Sequence, residues 1–219
     1  MSPWQSFGIE LDHLVVAAPS LESGAAWLEQ RLGVALQGGG RHPGWGTHNR
    51  LLQLGLGTYL ELIAPDPDQP PPDRPRPFGL DRDDVRARLR ERPRLVHFVM
   101  RTTELAAAVP ALGYDPGPIT PMSRGPLQWR ITVPPDGRPA GDGVLPTLIQ
   151  WDIDFVTQHP TATLEPRGVT LARLTIGAPA PSRALLDGIE GDRRIVLVAA
   201  QTASLAAELN TPKGAVTLD

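Results

Sequence analysis

The feature that most constrains this chain is an internal repeat. One histidine lies in each of two apolar segments, IELDHLVVAA at residues 9–18 and RLVHFVMRT at residues 94–102. In each copy a leucine stands eight positions after the histidine, and the segment that follows closes on Leu-Gly. Apolar residues on both faces of a short segment are typical of a buried strand, and glycine commonly ends a helix. The repeated pattern therefore predicts two copies of a unit that begins with a strand followed by a helix.

Further strands complete each unit. In the first copy, HNRLLQLGL and TYLELIAP follow a glycine-rich segment, QGGGRHPGWG at residues 37–46, which we expect to be a loop. In the second copy, LQWRITVP and PTLIQWDID are separated by a turn-rich stretch. We predict an α+β fold of tandem βαβββ modules, the first at residues 8–65 and the second at residues 94–160.

Two segments lie outside these modules. Residues 66–93 are predicted to be a linker, because seven of the thirteen residues from 65 to 77 are proline, which cannot extend a sheet ladder. The charged stretch at residues 80–94 is either a short helix or a solvated crossover. Residues 167–219 again read as strand, loop, short helix and three strands, so we predict a third βαβββ-like unit, whose structural role would be to cover an exposed sheet edge.

Composition narrows the possible partners. The 219 residues include no cysteine, so a metal must bind nitrogen or oxygen ligands. The net charge of -3 gives no field that would attract nucleic acid or anionic lipid, and no apolar run is long enough for a membrane span. We expect a cytoplasmic protein with a small-molecule substrate or ligand, no nucleic acid and no membrane partner.

The repeat places chemically active side chains in equivalent positions. His13 and His97 lie on the two opening strands, and Glu61 lies on the closing strand of the first module, where Gln150 is its counterpart in the second. If both modules face one cavity, two imidazoles and a carboxylate form a site for a divalent metal with positions left for substrate. We predict His13, Glu61 and His97 as ligands, with the side-chain oxygen of Gln150 as a candidate fourth; the pattern does not choose among Zn, Ni, Mn and Fe.

A second group of residues is predicted to bind substrate or assist catalysis. His48 is a candidate third ligand or general base, although it also fits a histidine that caps a turn. Arg124 and Arg130 are candidates to clamp a carboxylate or phosphate, or to pair with Asp152 or Asp154. The aromatic residues predicted as cavity walls are Trp45, Trp129 and Trp151.

The sequence resembles the vicinal oxygen chelate superfamily, and within it bacterial glyoxalase-like domain proteins. The resemblance rests on LDHLVVAAPSLESGAAWLEQRLGV, HPGWGTHNRLLQLGLGTYLELIAPDP, PRLVHFVMRTTEL and, more loosely, LPTLIQWD. It implies that two modules pair into a cup, as in glyoxalases, bleomycin resistance proteins and extradiol dioxygenases, with metal ligands at His13, Glu61 and His97. Gln150 departs from the acidic residue often found on the last strand.

The resemblance implies several chemistries, and the fold does not choose among them. The leading hypothesis is a metal-dependent enzyme of isomerase, lyase or dioxygenase type, in which the metal polarises an oxygen of a small carbonyl or oxygen-rich substrate and Gln150 or His48 assists proton movement. The alternative is a metal-free protein that binds or sequesters a small molecule in the same cup. A further possibility is a homodimer assembled through the third unit.

Overall fold

The fold is built around one curved sheet of eight strands, described by a computed structural model over residues 2–55 and 57–219. A second sheet of four strands follows it in the chain. The strands are β1 Glu10–Ala17, β2 Gln37–His42, β3 Thr47–Gln53, β4 Tyr59–Pro65, β5 Arg94–Arg101, β6 Ile119–Arg124, β7 Leu127–Thr132, β8 Thr147–Trp151, β9 Thr170–Ala178, β10 Ile195–Ala199, β11 Ser204–Thr211 and β12 Gly214–Leu218. The helices are α1 Pro3–Ser6, α2 Leu21–Leu32, α3 Asp83–Glu91, α4 Leu105–Ala108, α5 Phe155–Gln158, α6 Pro160–Thr163 and α7 Ala180–Leu185.

The eight-stranded sheet confirms the tandem modules. Its strand order is β2-β3-β4-β1-β5-β8-β7-β6, so each module places its first strand beside its own last strand. The two opening strands, β1 and β5, run antiparallel at the centre of the sheet. Alternate side chains of every strand therefore point into one cup, and the others point outward.

Local sequence signals account for the helices. Ser20 caps α2 by accepting a hydrogen bond from the Ser23 amide, and Gly33 ends it in the left-handed conformation, with φ 75°. The second module's helix, α4, is a single turn that continues as a 3-10 turn at Val109–Ala111, where Pro110 lacks the amide that a helix needs. No helix within residues 2–55 and 57–219 is long and apolar enough to cross a lipid bilayer.

The glycine-rich segment at residues 37–46 is not simply the expected loop, because residues 37–42 form the edge strand β2. Gly39 explains how a strand forms there: its φ is 97°, and a Cβ atom would lie 2.0 Å from the backbone oxygen of Asn49. Only glycine lets β2 approach β3 this closely. The matching strand of the second module, β6, was likewise not located in the sequence, where only the two later strands of that module were assigned.

The predicted linker enters the cup rather than running only over its surface. Its charged part forms the helix α3, which was one of the two alternatives predicted from the sequence. This helix buries Val85 and Leu89. Before the helix, Phe78 is buried and adopts φ 60°, a strained conformation for an aromatic residue. The amide of Gly79 donates to the carbonyl of Gly137 at 2.7 Å, which fastens the linker to the second module.

The C-terminal unit has the expected order of elements but a different pairing. Its sheet runs β10-β9-β11-β12, whereas each cup module places its first strand beside its last. It packs on the outer face of the cup, where Leu174 and Ile176 share one buried core with Phe98 and Met100. This unit therefore covers the apolar outer face of the sheet and is not a third copy of the module.

Candidate active site

The cup holds a cavity of about 50 Å³ that opens to solvent. Its walls are mostly apolar, as in many small-molecule sites, with a few polar groups on one side. The apolar lining includes Ile63, Phe78, Met122, Trp129, Ile131, Ile149 and Trp151. The polar lining includes His13, His42, Asn49, Tyr59, Glu61 and Arg124.

His13 is held by the residue before it. The pairing of β1 with β5 shifts register between Leu11 and His13, and this irregularity lets Asp12 reach the ring of His13. Asp12 Oδ1 lies 2.6 Å from His13 Nδ1. Burial alone would raise the pKa of Asp12, but hydrogen bonds from His13 and His159 outweigh it and hold the pKa well below its usual range. The ionised carboxylate therefore fixes the Nδ1–H form of His13.

Glu61 faces the free side of the same ring. Its Oε2 lies 3.6 Å from His13 Nε2, beyond hydrogen-bonding distance, and both side chains line the cavity. Glu61 pairs in register with Val15, two residues after His13, so the closing and opening strands bring the two groups together. Tyr59 stacks on the His13 ring with centroids 4.6 Å apart and holds its plane. A base and a carboxylate thus face one point in an apolar cup.

Asn49 fixes the other oxygen of Glu61. Its Nδ2 donates to Glu61 Oε1 at 2.6 Å, while its Oδ1 accepts from Arg124 Nη1 at 2.9 Å. Asn49 Nδ2 also contacts His42 Nε2 at 3.3 Å, and His42 Nδ1 lies 2.9 Å from Thr47 Oγ1. These contacts orient Glu61 Oε2 toward His13 and bring the Arg124 guanidinium to the same side of the cavity.

His97 does not join this group, contrary to the prediction. Its Nδ1 lies 2.9 Å from the carbonyl oxygen of Gly143, and its Nε2 accepts from the amide of Thr147 at 3.1 Å. Both ring nitrogens are thereby used in holding the segment that precedes β8. Burial lowers the pKa of His97 to about 4, so the ring is neutral at ordinary pH. His97 is a structural residue in this arrangement.

The counterpart of Glu61 is Thr147, not Gln150. In the first module, Val15 lies two residues after His13 and pairs with Glu61; in the second, Val99 lies two residues after His97 and pairs with Thr147. Gln150 points away from the cup, where its Oε1 accepts from the amide of Leu105 at the start of α4. The second module therefore carries no acidic group at the position that Glu61 occupies in the first.

Three other predicted site residues lie outside the cavity. His48 points to the outer face of β3, with Nδ1 3.8 Å from Asp66 Oδ1. Trp45 is buried beneath the linker, where the guanidinium of Arg74 lies 5.0 Å from its ring centroid. Arg130 forms a two-pronged surface pair with Asp152, at 3.0 and 2.9 Å, which was the alternative predicted for it. Arg124, Trp129 and Trp151 do line the cavity.

Several residues of the polar group were not predicted from the sequence: Asp12, His42, Asn49, Tyr59 and His159. One signal was available for Asp12, because a charged residue directly before a histidine in an apolar strand must find a partner when it is buried. His42 and Asn49 gave no such signal, since they lie on strands whose pairing depends on the conformation of Gly39.

Comparisons with known proteins agree with this fold. The family model of the glyoxalase-like domain matches residues 11–187. The chain belongs to the glyoxalase-like domain family. This match confirms the glyoxalase-like resemblance that the sequence predicted. A search of proteins with curated function finds no match.

Three solved structures illustrate the neighbours of this glyoxalase-like chain. A hypothetical protein from Staphylococcus aureus has 13% identity, a TM-score of 0.57 and coverage of 95% of this chain and 84% of that one. A hypothetical protein from Bacillus halodurans has 16% identity and a TM-score of 0.41, covering 67% and 95%. Methylmalonyl-CoA epimerase from Mycobacterium tuberculosis has 20% identity and a TM-score of 0.39, covering 65% and 86%. At 13% identity, the similarity to the Staphylococcus aureus protein supports the fold alone.

A divalent metal is common in the vicinal oxygen chelate superfamily, but the predicted ligands of this glyoxalase-like chain do not fit one. His97 has no free ring nitrogen, and His13 and Glu61 alone provide two ligands where a protein site normally supplies three or more. Over residues 2–55 and 57–219, no group of three or more histidine, aspartate and glutamate side chains is arranged to hold a metal ion. We therefore assign no catalytic step to a metal at His13, Glu61 and His97.

We expect this glyoxalase-like chain to lose stability between about pH 6.5 and pH 4. Burial lowers the pKa of both His42 and His97 to about 4, whereas an unfolded histidine titrates near 6.5. Between these values the unfolded chain binds more protons, so acidification favours unfolding, by up to about 1.4 kcal/mol per pKa unit for each histidine. Urea unfolding at a series of pH values measures this. His97→Gln should flatten the slope; a constant free energy of unfolding across the window would contradict the prediction.

Proposed function

We propose that this chain is a metal-independent enzyme of the isomerase type that moves a proton on a small carbonyl-bearing substrate. The observation that carries the proposal is the gap of 3.6 Å between His13 Nε2 and Glu61 Oε2 inside the cavity. Neither atom satisfies the other by a hydrogen bond at this distance, so both remain available to a substrate.

In the proposed reaction, His13 is the base and Glu61 completes the transfer. With Nδ1–H bound to Asp12, the lone pair of Nε2 faces the cavity and removes a proton from the carbon beside the substrate carbonyl. The resulting imidazolium lies between Asp12 and Glu61, and both carboxylates stabilise it. Glu61 Oε2 takes this proton across the gap and delivers it to a neighbouring substrate atom, so the proton changes position and nothing is oxidised.

The position of Arg124 favours a substrate on which negative charge develops during the reaction. Its guanidinium is joined to Glu61 through the single amide of Asn49, so an oxygen bound by Arg124 lies close to the reacting proton. A cationic group beside an enolate oxygen lowers the barrier, since the charge is already in place when the enolate forms. The aromatic wall of Phe78, Trp129 and Trp151 excludes water and suits an apolar remainder of the substrate.

Incorporation of solvent deuterium tests the proposal. Small 2-oxo and 3-oxo carboxylates, their methyl esters and simple ketones are incubated with the protein in D2O, and proton NMR follows the hydrogens beside the carbonyl. We expect exchange with at least one acid, and less with its ester. Glu61→Gln should slow the exchange by about 10²- to 10⁴-fold, the usual contribution of an acid or base. Arg130→Gln, on the outer face, is the matched control and should exchange at the wild-type rate.

The second candidate function is a protein that binds a small molecule without turnover. The observation in its favour is the predominance of apolar and aromatic side chains in the cavity wall. The same experiment separates the two functions. A compound that raises the melting temperature of the wild-type chain but shows no deuterium exchange would contradict the enzyme and support the binding protein.

A further inference from the structure

We infer that His159 is a positioning residue that acts on His13 through the carboxylate of Asp12. His159 lies in the segment that follows the second module, and its side chain is fully buried. Its Nε2 lies 3.2 Å from Asp12 Oδ2, while Asp12 Oδ1 holds His13. One carboxylate is thus shared by two imidazoles. The inference rests on the proposed function, because the orientation of His13 matters most if His13 is the base.

The hydrogen bonds of His159 assign its role as a donor to Asp12. The amide of Thr161 donates to His159 Nδ1 at 3.3 Å, so this nitrogen carries a lone pair. The proton of the neutral ring is therefore on Nε2 and points at Asp12 Oδ2. Trp151 Nε1 donates to the same oxygen at 3.0 Å. Together the two donors hold Oδ2, which leaves Oδ1 to His13 Nδ1.

The ring of His159 is fixed on both sides. Phe155 stacks on it with centroids 4.1 Å apart, and Trp151 meets it edge-on at 5.1 Å. Since the ring cannot turn without disturbing these contacts, the direction of its Nε2–H bond is set by packing. A histidine that served only to cap α6 would use Nδ1 alone, and its other nitrogen would not need to reach a buried carboxylate.

Asp12 needs this support because another partner lies nearby. Arg101 Nη1 is 4.0 Å from Asp12 Oδ2 and already donates to the carbonyl oxygens of Leu11 and Gly57. Rotation of the carboxylate toward the guanidinium would withdraw Oδ1 from His13 Nδ1. His159 and Trp151 both bind Oδ2 and oppose that rotation. The Asp12 carboxylate, placed by the register irregularity in β1, is therefore held in one orientation.

Imidazole NMR of the full chain, labelled with ¹⁵N in histidine, tests the inference without a substrate. In the wild type we expect His13 in the Nδ1–H form, with that proton shifted downfield by its short hydrogen bond to Asp12. His159→Gln places an amide N–H near the position of Nε2 and should keep this signature. His159→Phe and the shorter His159→Asn should lose it and give His13 a mixture of the two neutral forms. His48→Gln, on the outer face, is the control and should leave the His13 signals unchanged.

The outcomes separate this inference from the proposed function. Wild-type His13 signals in a folded His159→Asn chain would overturn the inference, whatever the activity. If His159→Phe fails to fold, the comparison of His159→Gln with His159→Asn decides, and equal His13 signals in those two variants would also overturn it. Failure of the proposed function appears differently, as unchanged deuterium exchange in Glu61→Gln while the His13 signals still respond to His159.

Discussion

Asp12→Asn is expected to reduce the rate of deuterium exchange by about 10³- to 10⁴-fold, the scale of loss when the carboxylate partner of a catalytic histidine becomes an amide. Asparagine can donate its amide protons to His13 Nδ1, which moves the ring proton to Nε2. The lone pair that faces Glu61 in the wild-type cavity is then lost. The side chain keeps its size, so the cavity and the fold should be preserved.

The rate of deuterium exchange in D2O measures this effect, with circular dichroism to verify folding. Asp152→Asn is the matched control, since Asp152 is partnered by Arg130 on the outer face and not by a histidine in the cup. It should exchange at the wild-type rate. A folded Asp12→Asn chain that exchanges within threefold of the wild type would show that Asp12 does not orient the base, given an expected loss of about 10³-fold or more.

Phe98→Ala is expected to lower the free energy of unfolding by about 3–5 kcal/mol, the range for removal of a buried aromatic side chain. Phe98 has no exposed surface and belongs to the core shared by the outer face of the eight-stranded sheet and the C-terminal unit. The cavity left by the ring would open at the junction of these two parts. Urea unfolding monitored by fluorescence measures the change.

Val156→Ala is the control for that experiment, because Val156 is 81% exposed and its truncation removes little buried surface. It should change the free energy of unfolding by no more than about 0.5 kcal/mol, as is usual at exposed positions. A loss below 1 kcal/mol in Phe98→Ala would contradict the position of the main core between the sheet and the C-terminal unit.

The sequence alone predicted the tandem modules because both opening strands carry the same strong pattern. Each is an apolar run with one histidine, followed by a helical segment that closes on Leu-Gly, and local signals of this kind survive in the folded chain. The closing strands were harder to align. The turn-rich stretch before β8 changes the spacing, so the pattern pointed to Gln150 where the sheet register places Thr147.

The two repeated histidines also show why residue type does not determine role. His13 follows a register irregularity and has a carboxylate on each side, whereas the neighbours of His97 are a carbonyl group and Thr147. The difference depends on pairing between distant strands and on the loop at Gly143, neither of which is encoded in the local pattern. The same limit applies to Phe78, whose linker gives no sequence sign that it enters the cup.

The most direct test of the proposed acid-base pair is a double-variant cycle on the deuterium exchange rate, with His13→Gln, Glu61→Gln and the two combined. If His13 and Glu61 pass one proton between them, the double variant should exchange about as fast as the slower single variant, because residues that act as a unit are strongly non-additive. If the two losses multiply, or if either single variant exchanges at the wild-type rate, the pair does not act together and the account is contradicted.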